Sequence, residues 1–287
     1  MSGYGEAAAK AAGVVVRELH EIAEFQQVYR LFDEIWHPDP SNAPVTMELM
    51  IGFAHTGNYV AGAFEGSRLV GASVGFLATG RTLHSHVTGA VIGRGIGYAL
   101  KSHQRDWCLD RGIKKITWTF DPLVRRNAHF NLAKLGAMPE KYLEDFYGVM
   151  ADAINEGDAS DRLMAAWRIG VGAGGNAASA GPDLTAAGAE ARVGSGAAAG
   201  AGAGAKAAAG AEAVLVEGED GRPLARAAEA NVVLVGTPAD IERLRRVDPE
   251  AGKAWRMAVR DKLGGLMKAG GQVVGFTDRG EYVVVIN

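Results

Sequence analysis

Gly93-Arg94-Gly95-Ile96-Gly97 sets three glycines at alternate positions between two segments of different periodicity. Leu83 to Val87 before it reads as a strand. Gly97 to Arg111 after it reads as a helix, ended by Gly112, a residue suited to the left-handed position after a helix. A glycine turn from strand to helix lets backbone N–H groups reach an anion with no side chain in the way, and the helix dipole adds favourable potential. Arg94 supplies a cation beside it. The dinucleotide fingerprint requires a further Gly or Ala three residues after its second glycine. Here that position is Tyr98 or Leu100, depending on which glycine pair is counted. A P-loop would end in Gly-Lys-Ser/Thr, and no such run follows. The turn therefore reads as a pyrophosphate cradle of another kind, or as a glycine-rich connection without ligand.

Strands and helices alternate around it. Val14 to Arg17 reads as a strand, and Leu19, Ile22, Phe25, Tyr29, Phe32 and Trp36 recur at helical spacing until Pro38 and Pro40. Thr46 to His55 reads as a second, short helix. Asn58 to Phe64 and Leu69 to Leu77 form a hairpin about Glu65-Gly66-Ser67. Lys115 to Phe120 is a strand with Ile116, Trp118 and Phe120 on one face. Arg125 to Leu135 is a helix closed by Gly136, and Arg162 to Ile169 is a last strand.

The chain has 287 residues and a formal net charge of −3, which gives no general field for nucleic acid or anionic membrane. Cys108 is the single cysteine, so an intrachain disulfide framework and a cysteine-rich zinc site are both excluded. The first thirteen residues lack the order of a signal peptide and are expected to be a disordered leader. With no apolar run long enough to span a membrane, the default location is the cytoplasm. Residues 14–169 are expected to be one domain. Ala and Gly dominate 170–213, which reads as a flexible linker because interleaved glycines oppose helix and no apolar stripe asks to be buried. Residues 214–287 are expected to form a small α+β segment. In it Val232 to Val235 is a strand, and Thr237-Pro238-Ala239-Asp240 and Asp248-Pro249 are helix starts. Trp255, Ala258, Val259, Leu263, Leu266 and Met267 give an apolar stripe, and Val273 to Phe276 with Tyr282 to Ile286 make a closing hairpin.

The order strand, two helices, hairpin, strand, glycine turn, helix, strand, helix resembles the GNAT superfamily of acyltransferases. The family's Gln/Arg-x-x-Gly-x-Gly/Ala motif maps onto Ile92 to Gly97, with Ile92 in the Gln/Arg position. Asn127 to Gly136 is similar to the family's Asn-containing helix that ends in Lys-x-Gly. Leu83-His84-Ser85-His86-Val87-Thr88-Gly89, Trp118 to Leu123, Arg125-Arg126-Asn127 and Asn155-x-Gly157-Asp158-x-Ser160-Asp161-Arg162 resemble a bacterial branch that carries a C-terminal extension. The resemblance implies an α/β fold with a GNAT-type mixed central sheet flanked by helices. It implies transfer of an acetyl or related group, succinyl among them, from acyl-CoA to an amine by direct attack, without a metal. The acceptor would be a small-molecule amine, an amino acid being one candidate; a homodimer is compatible. Cofactor contacts are implied at Val87, Thr88, Gly93, Arg94, Gly95, Ile96, Gly97, Tyr98, Asn127 and Asn131. The tyrosine that many members use as general acid maps to Leu132. A non-catalytic acyl-CoA or nucleotide sensor is the alternative.

Catalytic candidates follow from what amine acylation needs: proton removal, oxyanion stabilisation and departure of a thiolate. His84 and His86 lie two apart on a strand and so share a face; either could serve as base or substrate contact, both could be structural or solvent-facing, and a metal is a third reading, although no nearby Cys or acid cluster completes such a site. Asp121 follows the Lys115–Phe120 strand and is a second base candidate, or a cap of the Pro122 turn. Arg125 and Arg126 open a helix, where cations oppose the dipole. An anionic ligand would relieve this, as would surface pairing with the Asp158/Asp161 region. Tyr147, and beside it Tyr142, are candidate acids or packed aromatics. Cys108 reads as a packing residue.

Overall fold

A computed structural model of the chain describes residues 3–38, 43–148, 158–169 and 210–286. The expected linker therefore lies outside the described residues up to 209, as do Asn155 and Gly157. The chain divides into two compact units, one running to Trp118 and taking back Arg168 and Ile169, the other starting at Thr119. Among the described residues no helix is long and apolar enough to cross a membrane.

The first unit holds α1 (Tyr4–Ala11), β1 (Val15–Glu18), α2 (Ile22–Trp36), α3 (Met47–His55), β2 (Tyr59–Glu65), β3 (Arg68–Ala78), β4 (Thr82–Ala90), α4 (Ile96–Asp110) and most of β5 (Lys115–Phe120). β1 to β4 pair antiparallel in chain order, and β5 joins β4 in parallel through the α4 crossover. Gly66, at φ +60°, makes the β2–β3 turn expected of Glu65-Gly66-Ser67. Thr46 caps α3 by accepting from the Leu49 N–H. Phe25, Val28, Leu31 and Phe32 of α2 meet Met50, Val60 and Val74 in the core. Ile22 and Tyr29, expected on the buried stripe, face solvent instead, because the helix is rotated to present Val28 and Leu31.

The expected disordered leader is instead helical from Tyr4 to Ala11. Gly5, Ala8 and Ala9 recur at helical spacing and are buried. Their smallness, not their hydrophobicity, lets α1 approach α4: a Cβ on Gly5 would stand 2.9 Å from the His103 Cα. The Gly5 N–H donates to Asp106 Oδ2 at 2.7 Å, and the hydroxyls of Tyr4 and Tyr98 share a hydrogen bond.

From β5 the strand order continues β5-β7-β6 in the second unit, which completes a seven-stranded mixed sheet flanked by helices. β6 spans Met138–Leu143 and β7 Arg162–Arg168. The expected helix over Arg125–Leu135 is α-helical only at Arg125–Ala128 (α5) and widens to π-helical turns over His129–Lys134. A second sheet, in the order β11-β12-β10-β8-β9, is built from β8 (Glu212–Glu217), β9 (Pro223–Ala225), β10 (Val232–Gly236), β11 (Gln272–Phe276) and β12 (Glu281–Val285). Between β10 and β11 lie α6 (Ile241–Val247), α7 (Pro249–Val259), π-helical turns at Arg260–Gly264 and α8 (Gly265–Lys268). Asp248 caps α7 through the Ala251 N–H, with Pro249 in its first turn, as expected. Thr237 does not cap α6. Its hydroxyl donates to the Gly280 carbonyl, and Asp240 is the cap, accepting from the Arg243 N–H.

Within this unit the C-terminal residues are tied to those after β5 by buried ion pairs. Asp121 Oδ1 and Oδ2 accept from Arg256 Nη1 at 3.0 Å and Nη2 at 2.9 Å, and Oδ2 also accepts from Arg245 Nη2 at 2.8 Å. Both arginines donate again to Asp158 Oδ2, at 2.7 Å from Arg245 and 3.0 Å from Arg256. Beside them Arg260 binds Asp161, which also accepts from the Tyr142 hydroxyl at 2.7 Å. Burial alone would raise the Asp121 pKa, but the guanidinium charges of Arg256 and Arg245 outweigh it and hold the carboxyl well below the usual carboxylate range.

Two outcomes follow from this packing. Arg256→Ala leaves two carboxylates short of a buried partner, so the second unit should lose about 3–5 kcal/mol in urea unfolding. The pH dependence has a definite sign. Because the folded Asp121 carboxyl titrates below its unfolded value of about 3.9, its contribution is complete above that value and is lost as pH falls further. Asp121→Asn should therefore flatten acid unfolding below about pH 4. In the first unit, Gly5→Leu should detach α1 while β2 to β4 persist, seen as loss of amide-exchange protection confined to residues 4–12 and the α4 surface.

Candidate functional site

β4 and β5 pair over only three positions, from Thr82↔Lys115 to His84↔Thr117. Beyond them no β4–β5 register continues among the described residues. On its other edge β4 stays paired with β3 to Ala90, but the register slips: Val74 faces Val87 while Gly75 faces Ser85. His86 is the extra residue of that bulge, and a bulge bends its strand and strengthens the local twist. The Val91 N–H donates to the Val70 carbonyl, so Gly89 and Val87 also address β3. By the same alternation the peptide groups of Thr88 and Ala90 address the opposite edge, the one β5 has left.

The free edge leads into the glycine turn. Gly93 and Gly95 have φ of +89° and +74°, values that only glycine adopts without strain. Gly95 is the N-cap of α4. No side chain caps this helix, and its first turn holds no acid, so the positive end of its dipole is left to other partners. A Cβ added at Gly93 or Gly97 would meet open space, so the approach to these N–H groups is clear. Ile92 is 81% exposed and projects away from the core. Arg94 donates to Glu65 with both terminal nitrogens, at 2.8 and 3.0 Å, and Glu65 would have to be exchanged for any phosphate it binds. Tyr98 faces Tyr4 and is half-buried.

His84 and His86 flank Phe76, with ring centroids 5.1 and 6.0 Å from it. His86 Nε2 lies 2.9 Å from the Pro44 carbonyl, which can only accept, so the proton sits on Nε2. His84 Nδ1 contacts Thr117 Oγ1 at 3.2 Å, across the last paired register of β4 and β5. Burial, with the nearby charges of His86 and Lys101, lowers the His84 pKa to about 4. His84 is thus neutral at physiological pH and a weak base.

Behind the divergence lies a group the sequence reading missed. Lys101, on α4, is 5% exposed. Its Nζ donates to Ser85 Oγ on β4 at 2.8 Å and to Gln104 Oε1 at 3.5 Å, and lies 4.0 Å from the Trp118 ring centroid on β5. Gln104 in turn donates to Ser73 Oγ at 3.3 Å, which shares a 2.8 Å hydrogen bond with Thr88 Oγ1. A buried polar chain thus joins the free edge of β4 to the lysine. Gly97, Lys101, Gln104 and Cys108 recur along one helical face; a stripe this polar beside Leu100 and Trp107 was the available signal. Burial lowers the Lys101 pKa to about 7 and pushes the Cys108 thiol up to about 12, in keeping with a packing role for the cysteine.

The remaining candidates belong to the second unit. Asp121, expected as a base, is engaged by Arg245 and Arg256 and also accepts from the Leu123 N–H at 2.9 Å, the turn-capping contact that was its alternative. A carboxylate held this far below its usual range takes up no proton near neutrality. Arg125 donates to Thr237, and Arg126 pairs with Glu242; neither is placed with Asp158 or Asp161. Asn127 is exposed and Asn131 buried. The Tyr147 hydroxyl shares a 2.8 Å hydrogen bond with Thr119. Among the described residues no group of three His, Cys, Asp or Glu is arranged to hold a metal.

No family model and no curated protein matches the chain. Solved structures do. The ribosomal-protein-S18-alanine N-acetyltransferase from Escherichia coli is similar, with 12% identity over 55% of this chain and 96% of that one and a TM-score of 0.45. An acetyltransferase of the GNAT family from Streptococcus pneumoniae is similar with 16% identity over 54% and 99%, TM-score 0.44. A GNAT superfamily phosphinothricin acetyltransferase from Sinorhizobium meliloti, in complex with acetyl-CoA, is similar with 14% identity over 56% and 91%, TM-score 0.46.

The state of His84 is directly measurable. Its imidazole resonance should titrate with a midpoint near 4 in the folded protein. An unfolded histidine protonates at about 6.5, so the neutral ring contributes stability above that pH, which is lost as pH falls toward the folded value. His84→Asn should remove that part of the stability loss, read as thermal midpoint against pH.

Proposed function

We propose that the chain is an acyl-CoA-dependent N-acyltransferase of the GNAT type. The observation that carries this reading is the parting of β4 from β5 after His84↔Thr117, continuous with an uncapped glycine turn at the start of α4. From Ser85 to Ala90 the free edge of β4 runs for roughly 17 Å, enough for an extended, amide-bearing arm to lie against it. Thr88 and Ala90 offer that arm peptide N–H and C=O groups. At the far end the N–H groups of Ile96, Gly97 and Tyr98, with the helix dipole behind them, suit a pyrophosphate. The arm's thioester end would then lie by the His86 bulge, where a strand bend re-aims backbone groups. The motif resemblance of Ile92 to Gly97 points to the same ligand class.

The chemistry is attack by an amine nitrogen on the thioester carbonyl, followed by departure of the thiolate. Holding the thioester in an extended groove supplies orientation, a large part of the acceleration available to such a reaction. His86, with its proton on Nε2, presents Nδ1 as an acceptor when neutral. Acetyl-CoA is the simplest donor of this class, and the acceptor is an amine.

Calorimetry with acetyl-CoA tests the reading. Wild-type protein should bind it, and Gly97→Asp should weaken binding by about tenfold or more, because a carboxylate would occupy the anion position. The same substitution should leave the thermal midpoint unchanged or raised, since an acid in the first helical turn is favourable. Equal affinity in the two proteins would place the anion elsewhere. Binding without thiol release across an amine panel would favour the sensor alternative.

A further inference from the structure

Lys101 carries a charge that the fold does not balance. Its amine is enclosed by α4, β4 and β5, where it meets two neutral oxygens, Ser85 Oγ and Gln104 Oε1, and the Trp118 ring. Among the described residues no carboxylate pairs with it. The titratable groups that act on it or respond to it are Cys108 on its own helix and His84 on β4, neither of which is an anion at neutral pH. A buried ammonium without a counter-ion is disfavoured unless an anion arrives.

Its place says which anion. Ser85 and Trp118 are the first residues of β4 and β5 beyond the last paired register, His84↔Thr117, so Lys101 Nζ bridges the two strands at the point where they part. The amide of Gln104 is oriented by Ser73, which is held by Thr88, so its oxygen must face the lysine. The ammonium is therefore pointed by residues of both walls of the gap.

Resting on the acyl-CoA reading above, we infer that Lys101 is a catalytic acid of this enzyme, which stabilises the departing CoA thiolate and transfers a proton to it. In the step, the acceptor nitrogen forms a bond to the carbonyl carbon, and the carbonyl π pair moves onto oxygen. That pair returns, the C–S bond breaks, and sulfur keeps the electron pair. Lys101 Nζ gives sulfur its proton, leaving CoA thiol and a neutral amine. The proton shed by the acceptor nitrogen passes to solvent, and Lys101 regains one from solvent between turnovers. Burial sets the ammonium near pKa 7, where donation is facile and the charged form is still well populated.

The test needs no knowledge of the acceptor. Free CoA is bound to the protein, and thiolate absorbance is followed against pH beside CoA alone. In the wild-type complex the thiol should lose its proton at a proton activity about tenfold or more higher than in free CoA, as a thiol beside a cation does. Lys101→Met and Lys101→Gln should abolish that shift while changing CoA affinity by no more than roughly threefold. A merely structural lysine would leave the thiol titration unmoved. If both variants fail to fold, lysine labelled with carbon-13 at Cε provides a second readout in wild-type protein, where CoA binding should raise the Lys101 titration midpoint. A bound thiol that titrates as in free CoA, a shift that survives Lys101→Met, or a Lys101 midpoint unmoved by CoA overturns the inference and leaves the acyl-CoA reading standing. Absence of CoA binding to the wild type overturns both.

Discussion

Asp121 and Asp158 each accept from Arg245 and Arg256, and these two carboxylates with two guanidiniums organise the second unit. Charge here is nearly matched, and the geometry satisfies most lone pairs, which is the condition under which burying ions is tolerable. The partners lie 124 and 135 residues apart for Asp121, so the contact closes a very long stretch of chain. Around it gather Arg260 with Asp161, the Tyr142 hydroxyl, and the Tyr282 hydroxyl on the Pro122 carbonyl. Such a cluster specifies geometry more than it adds free energy, because each ion must keep its place for the others to be paired.

The first unit treats charge in the opposite way. Its sheet and α4 enclose a cation that no carboxylate among the described residues pairs with, and its helix start has no side-chain cap. Both features cost stability in isolation. They occur on one strand–turn–helix run, next to a backbone edge whose partner has departed. Incomplete satisfaction of a donor, a dipole and a strand edge along one line distinguishes a surface that expects a ligand from one that is finished.

Much of this was legible in the residues, and what was not has physical reasons. Glycine punctuation and the change from period two to period 3.6 are local, so β4, the turn, α4 and β5 could be read directly. Asp248-Pro249 was similarly plain. α1 was hidden because Gly5, Ala8 and Ala9 are buried by being small, and a disordered leader has the same composition. β6 was hidden because Pro139-Glu140-Lys141 is polar, a pattern possible at an edge. The bulge at His86 is a property of register with β3, which no single strand encodes. Thr237 looked like a cap until Gly280 and Arg125, far away in sequence, claimed its hydroxyl. The pairing of Asp121 with arginines lies beyond any local window. Lys101 was passed over because a lysine on a helix is usually a solvated one, and only its neighbours on the same arc hinted otherwise.

The enclosure of Lys101 has a consequence for self-protection. An amine this ready to shed its proton is an acceptor in its own right, and it lies close to where a reactive thioester would be held. While it remains an ammonium, bound to Ser85 and Gln104 and facing the Trp118 ring, it has no lone pair with which to attack. In the proposed step the charged form acquires one by protonating sulfur, by which time the acyl group would have left the thioester for another nitrogen. On the proposed reading, protonation rather than distance would keep Lys101 from being acylated, and that protection would weaken as pH rises through about 7.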